Sequence, residues 1–434
     1  MILSRRSLLH GSALLGAGAM LGLPVLARAA DFGAIEGQWP TVTALLDRYV
    51  RTRKVAGGVA TFGWGQEPLA AILRGREGFD DADPVSPQSL FRVYSMTKPI
   101  TGMAAMMLID EGKLGLDQRL ADFVPEFANP RVVIDQAKGL DSRPAAGQIT
   151  IRQLMTHTSG MGYAGVSTNA VGHELLRLGV TPARVSHRNI KGVTSPVPTP
   201  EPGEFLRRAA SVPLLADPGT KWIYSMGLDV LGLVIQRASG AASFAAFLQE
   251  RLFDPLGMKD SVFQVPKADE PRFTTNYGIA HGFRLTIDKP AESVFLDPPA
   301  FAYGGAGLVS TPVDYDRFLA MLVGGGTLGG RRIMSEKAVM LGMSNLLPPG
   351  ADTNGTSISG AGFGAGGRVG LGPDAGTFGW SGAAGTVALV NSRVGLRTGL
   401  YVQYMPSSAY HIQKEFLAAA AKDALVIAER KVTA

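Results

Sequence analysis

The spacing of apolar positions changes along this chain, and the changes divide it. Residues 42–50 alternate at helical period and predict an amphipathic helix. Two runs of apolar and small residues, 57–64 and 69–75, then predict an antiparallel hairpin. Residues 90–94 lead into a helix whose apolar run, 103–110, stops at Gly112. The middle reads as helical and loop-rich, with segments at 151–155, 227–239 and 243–253 and a proline-rich bridge at 193–202. Strand-like runs return at 377–379, 386–391 and 399–403, and a last helix spans about 412–430. Strands near both ends with helices between them imply an α/β protein of the α+β type. Its antiparallel sheet is built from both chain ends and flanked by helices, with a mostly helical inserted part. The expected sheet part covers about 31–115 and 355–434, and the helical part about 116–354. No internal repeat is visible.

The first thirty residues read as an export signal, not as fold. Ser4-Arg5-Arg6-Ser7-Leu8-Leu9 precedes an apolar stretch from Gly11 to Leu26, and Ala27-Arg28-Ala29 forms a small-residue cleavage site. The twin arginines indicate a Tat-type signal. The apolar run is shorter than the roughly 20 residues of a spanning helix, so cleavage is expected rather than anchoring. The mature chain, about 31–434, is then expected in the periplasm or secreted, with no membrane contact after cleavage. The absence of cysteine removes disulfides and thiolate metal sites from an oxidising compartment. Loss of Arg5, Arg6 and Arg28 with the signal takes the net charge from +6 to +3, and the basic residues are scattered, which excludes a nucleic-acid footprint.

The chemistry concentrates in three stretches. In Ser95-Met96-Thr97-Lys98, Pro99 is compatible with a helix only near its first turn, so Ser95 is expected at a helix tip with Lys98 on the same face. A serine hydroxyl is a weak nucleophile until a base takes its proton, and burial favours the neutral amine that could do so. Tyr224, in Tyr224-Ser225-Met226, is a second candidate base. Phenol ionises near 10, so acting at neutral pH requires about three units, or about 4 kcal/mol, which a neighbouring cation can largely supply. Spacing alone leaves the base unassigned between Lys98 and Tyr224. The third stretch, Trp380-Ser381-Gly382-Ala383, reads as a sheet-edge strand whose small residues let a ligand approach the backbone. An N–H there, facing that of Ser95, would complete an oxyanion hole.

Together the three stretches resemble the serine β-lactamase and penicillin-recognising superfamily, in its class C-like branch, and in motif the family VIII carboxylesterases. Leu154-Met155-Thr156-His157-Thr158-Ser159-Gly160 and Gly304-Gly305-Ala306-Gly307 match as well, and the likeness extends from about 42 to 403. The resemblance implies a β-lactamase/DD-peptidase-like fold and an acyl-enzyme on Ser95. It makes Lys98 and Tyr224 the general-base pair and the amides of Ser95 and Ala383 the oxyanion donors, with Trp380, Ser381, Gly382 and Met226 contacting substrate. Two departures separate this chain from the antibiotic hydrolases. Met226 replaces an asparagine that would bond a substrate amide, and Trp380 replaces a lysine that would grip a carboxylate.

The expected activity is therefore a carboxylesterase on small short-chain or aryl esters. A β-lactamase or D-alanyl-D-alanine carboxypeptidase on amides, and a non-catalytic binding protein of the same fold, are the alternatives. No cofactor or metal is expected. Gly362-Phe363-Gly364-Ala365-Gly366-Gly367 matches a dinucleotide fingerprint but lacks the helix that must follow. The six histidines have no ligand spacing. There is no G-x-S-x-G elbow, and His157 reads as structural.

Overall fold

The computed structural model describes residues 35–190 and 193–433. The export-signal segment with Arg5 and Arg6 lies outside the described residues. Seven antiparallel strands form the main sheet in the spatial order 362–363, 368–369, 377–381, 387–391, 396–401, 57–64 and 70–75. The expected hairpin is present, with Gly57 opposite Gly75 and Phe62 opposite Ala70. The last central strand runs Leu396–Tyr401, earlier than the 399–403 expected, because its pairing with Gly57–Trp64 extends back to Leu396 opposite Trp64.

Both faces of this sheet are buried, which explains why its strands read as nearly continuous apolar runs. Ala60, Phe62, Leu400 and Val402 point to one side, where they meet Val42, Leu46 and Phe416 of the Pro40–Arg51 and Ile412–Thr433 helices. Val59 and Tyr401, one residue out of phase, join the larger core on the other side. The two outer helices are stitched at one end. Asp423 of the last helix accepts from the N–H groups of Thr41 (2.9 Å) and Val42 (3.1 Å), placing a carboxylate on the unpaired donors of the first helix.

On the inner side, every residue from Thr97 to Leu108 of the Thr97–Asp110 helix is buried. A helix apolar all round belongs inside a domain. Its close neighbour is the turn between the short strands 362–363 and 368–369, which the glycine-rich stretch builds. A Cβ on Gly366 (φ +74°) would collide with the Lys98 carbonyl, and one on Gly102 with the Ala365 carbonyl. The glycines therefore serve backbone-to-backbone packing against the helix that carries Lys98, and a strand, Arg368–Val369, follows them directly.

The inserted part holds more strand than its sequence suggested. Asn276–Ala280 and Phe283–Asp288 form a hairpin, although the alternation in the second strand is carried by exposed residues and gives no burial signal. The expected 243–253 helix is present and continues to Leu256, with a change of winding inside it. Ser243 caps an α-helix at Phe244–Leu248, and the next turn, Gln249–Phe253, widens into a π-helix.

Arg92 ties the hairpin to the segment leading into Ser95. Its guanidinium donates to the Asp288 carboxylate, from Nε at 2.8 Å and from a second nitrogen, and it stacks 3.8 Å from the Phe273 ring centre. Both side chains are shut off from solvent. Arg92→Met would strand a buried carboxylate, so a loss of about 3–5 kcal/mol is expected in urea denaturation. Pairing it with Asp288→Leu should recover most of that. A single-variant loss below about 1 kcal/mol would show that the ion pair contributes little.

Candidate active site

The site begins with a strained turn. Tyr94 adopts φ +42°, a left-handed conformation that non-glycine residues avoid, at a cost of about 1–3 kcal/mol. Buried bonds hold it there. The Thr97 hydroxyl donates to the Tyr94 carbonyl (2.6 Å) and accepts from the Leu308 N–H (3.1 Å), and the Tyr315 hydroxyl donates to the Met96 carbonyl (2.8 Å). Tyr94–Met96 is a single 3-10 turn that runs directly into the Thr97–Asp110 helix, so Ser95 sits at the helix tip. Pro99 falls in the first helical turn, where its missing N–H costs nothing.

Ser95, Lys98 and Tyr224 meet. The Tyr224 hydroxyl donates to Ser95 Oγ at 2.6 Å, and Lys98 Nζ lies 3.2 Å from the same oxygen. Lys98 is fully buried, and Nζ donates to the Gly305 carbonyl at 2.6 Å. The amine also lies 4.7 Å from the Tyr224 ring centre and 5.3 Å from that of Tyr163. Either group is within reach of the serine proton.

Tyr224 is fixed by an aromatic cage. His157 packs 4.6 Å from its ring centre, and Tyr163, Trp222 and Trp380 lie at 5.7–6.0 Å. His157 itself adopts φ +58°. Its carbonyl accepts from the Ile223 N–H (2.8 Å), and its Nδ1 accepts from the Ser225 N–H (3.2 Å). The residues on both sides of Tyr224 thus hang from one histidine. Burial, and then the nearby Lys98 charge, pushes the His157 imidazole well below its ordinary value, so the ring is neutral. Its place beside the tyrosine is what the sequence missed. The run Thr156-His157-Thr158 offered only its match to the family as a signal.

Trp380 and Ser381 close the Thr377–Ser381 strand. This strand is internal at Phe378 and Gly379, which pair with Val369 and Arg368, but its last two residues extend past that short partner. The edge expected from sequence is therefore confined to Trp380 and Ser381. Trp380 stacks on Tyr224, its Nε1 3.5 Å from the phenol oxygen. Gly382 then passes against the serine turn, where a Cβ would lie 2.5 Å from the Val93 carbonyl. Gln413 of the last helix donates to the carbonyls of Gly382 (3.0 Å) and Thr386 (2.7 Å) and holds this bend. Ala383 packs against the apolar group that contains Tyr94 and Ala384. Met226 is placed differently from expectation. It is 2% exposed, lies in the core and serves as the N-cap of the Gly227–Ser239 helix, so it forms no open wall of the site.

Two cavities, of about 390 and 450 Å³, lie elsewhere and are lined by none of Ser95, Lys98 or Tyr224. The chemistry, not the cavity volume, locates the site.

The family model described as Beta-lactamase matches residues 42–422. Protein Rv1367c of Mycobacterium tuberculosis is 33% identical over 347 residues, covering 76% of this chain and 81% of that protein. Esterase EstB of Burkholderia gladioli is 34% identical over 291 residues, covering 64% of this chain and 68% of the esterase. Among solved structures, EstCE1, described as a hydrolase with promiscuous acyltransferase activity, superimposes with a TM-score of 0.69 over 89% of this chain and 99% of that one. At 22% identity this likeness speaks for the fold.

Gly382→Ala would place a methyl against the Thr386 hydroxyl (2.2 Å) and the Val93 carbonyl (2.5 Å), and because the second is backbone the strand end must move away from the serine turn. A loss of about a hundredfold in ester turnover is expected with a melting temperature that falls only modestly, the scale of an ångström-sized displacement near a reacting group. Undiminished turnover would mean that the approach of Gly382 to Val93 has no part in activity.

Proposed function

The chain belongs to the beta-lactamase family and is a serine hydrolase, and we propose that it is an exported carboxylesterase that acts on short-chain or aryl esters through an acyl-Ser95 intermediate. The observation that carries this reading is the position of Ser95 Oγ, bonded to both the Tyr224 hydroxyl and the Lys98 amine. In the proposed reaction, the Lys98–Tyr224 pair takes the Oγ proton while Oγ bonds to the ester carbonyl carbon. The amides of Ser95 and Ala383 receive the negative charge that develops on the carbonyl oxygen. The carbon–oxygen bond to the alcohol then breaks, and the alcohol leaves with the proton. Water repeats the sequence on the acyl-enzyme and frees the acid.

Ester over amide substrates is favoured by what lines the approach. Trp380 presents an indole where a cation would grip a carboxylate. Esterase EstB, the named esterase among the relatives above, supports the same choice. Amide-cleaving activity on β-lactams or D-alanyl-D-alanine peptides is the second reading, since the acyl-enzyme steps would be shared. Export rests on the Arg5-Arg6 segment alone.

A fluorophosphonate probe followed by mass spectrometry should find one label on Ser95, and p-nitrophenyl butyrate should be turned over much faster than nitrocefin. Fractionation of the native host should recover the chain outside the cytoplasm. An unlabelled Ser95 in folded protein would overturn the acyl-enzyme, faster nitrocefin turnover would overturn the ester preference, and a cytoplasmic chain would overturn export.

A further inference from the structure

Asp229 is a buried acid for which the reaction above has no use. It lies in the first turn of the Gly227–Ser239 helix, fully enclosed, and its Oδ1 accepts from the Gly305 N–H at 2.7 Å. The other face of that glycine carries the carbonyl that receives Lys98 Nζ at 2.6 Å. One residue therefore stands between the acid and the amine. Its glycine identity is required on this side, because a Cβ at position 305 would strike the Asp229 carboxyl, as one on Gly304 would strike the Leu228 carbonyl. The second oxygen, Oδ2, has no hydrogen-bond partner among the described residues. An enclosed carboxyl with an unpartnered oxygen is costly to keep in a core where an apolar residue would pack as well.

We infer that Asp229 is a positioning residue for the acylation site, orienting the Gly305 residue so that its carbonyl meets Lys98 Nζ and acting as the buried countercharge to that amine. This rests on the reading that Lys98 takes part in acylating Ser95. The groups that face Asp229 are the Lys98 amine, the Gly305 N–H, and the phenols of Tyr163 and Tyr303, whose own ionisation its charge opposes. Lys98 is thus the cation among them. The helix N-terminus also favours the ionised acid. Burial works the other way and pushes the carboxyl up to about 7, with the Lys98 charge and the Gly305 N–H drawing it back down.

The sign of the consequence follows. Above about 7 the acid is ionised and both bonds across Gly305 are at full strength. As pH falls through that value the acid takes a proton, the countercharge is lost, and acylation of Ser95 should slow.

The test measures the rate of Ser95 labelling by a fluorophosphonate probe against pH, in the whole chain. The unaltered protein should show an acid limb near pH 7. Asp229→Asn keeps an oxygen for the Gly305 N–H but carries no charge. It should label about a hundredfold more slowly above the limb, as expected when a reacting group loses its position, and with no limb at that pH. Where the asparagine variant does not fold, Asp229→Ser, smaller and still able to accept from the N–H, takes its place. A limb that persists unchanged in the folded variant, or an unaltered protein whose labelling is flat through neutral pH, would overturn the inference. No labelling of Ser95 at any pH in the unaltered protein would instead overturn the acyl-enzyme reading beneath it.

Discussion

An amine shut off from bulk solvent has to be met by acceptors, and the architecture around Lys98 is organised by that demand. Its helix is enclosed from Thr97 to Leu108, so Nζ cannot extend to solvent. An unpartnered ammonium there would cost many kcal/mol. The Gly305 carbonyl, Ser95 Oγ and two aromatic faces supply the contacts instead. Each requires something further. Gly305 has to be glycine to lie against Asp229, Gly366 has to be glycine to lie against the Lys98 carbonyl, and Tyr94 has to be held in a left-handed turn to bring the serine back over the amine.

The sheet supplies the other half of the site at a distance in sequence. Its strands near the C-terminus carry Trp380 and Gly382 to the serine turn, and they can do so because 57–64 pairs with 396–401 in the centre of the sheet. The Arg92–Asp288 pair, the Asp423 cap on the first helix and the Gln413 bonds to the Gly382 bend lock this long-range closure. None of them touches a substrate. They fix where the serine turn and the 380–383 segment stand relative to each other, and a reaction that depends on ångström placement depends on them.

Much of this was legible in the chain. Ser95, Lys98 and Tyr224 were marked by residue type and spacing, the hairpin 57–75 by small and apolar runs, and the helix after Ser95 by its apolar run 103–110. What stayed hidden shares one physical property: it acts through backbone. The Gly305 carbonyl, the Ser225 N–H on His157 and the left-handed Tyr94 have no side-chain signature. Met226 misled because a family position suggested contact with substrate, whereas the start of the Gly227–Ser239 helix needed an apolar residue in the core. Asp229 carried no signal in the sequence, and its enclosure shows only in the fold. The shortened edge of the Thr377–Ser381 strand follows from two-residue neighbours too brief to show a period.

The central claim is that Lys98 and Tyr224 act on Ser95 as one unit, and a double-variant cycle tests it most directly. Ser95 labelling rates would be measured for Lys98→Met, Tyr224→Phe and the pair together, each confirmed as folded by circular dichroism. If the two groups serve one proton transfer, the double variant should be no slower than the slower single variant, the non-additivity expected of residues that work together. If the two losses multiply, as they do for independent sites, the two side chains contribute separately and the account of a shared base is wrong.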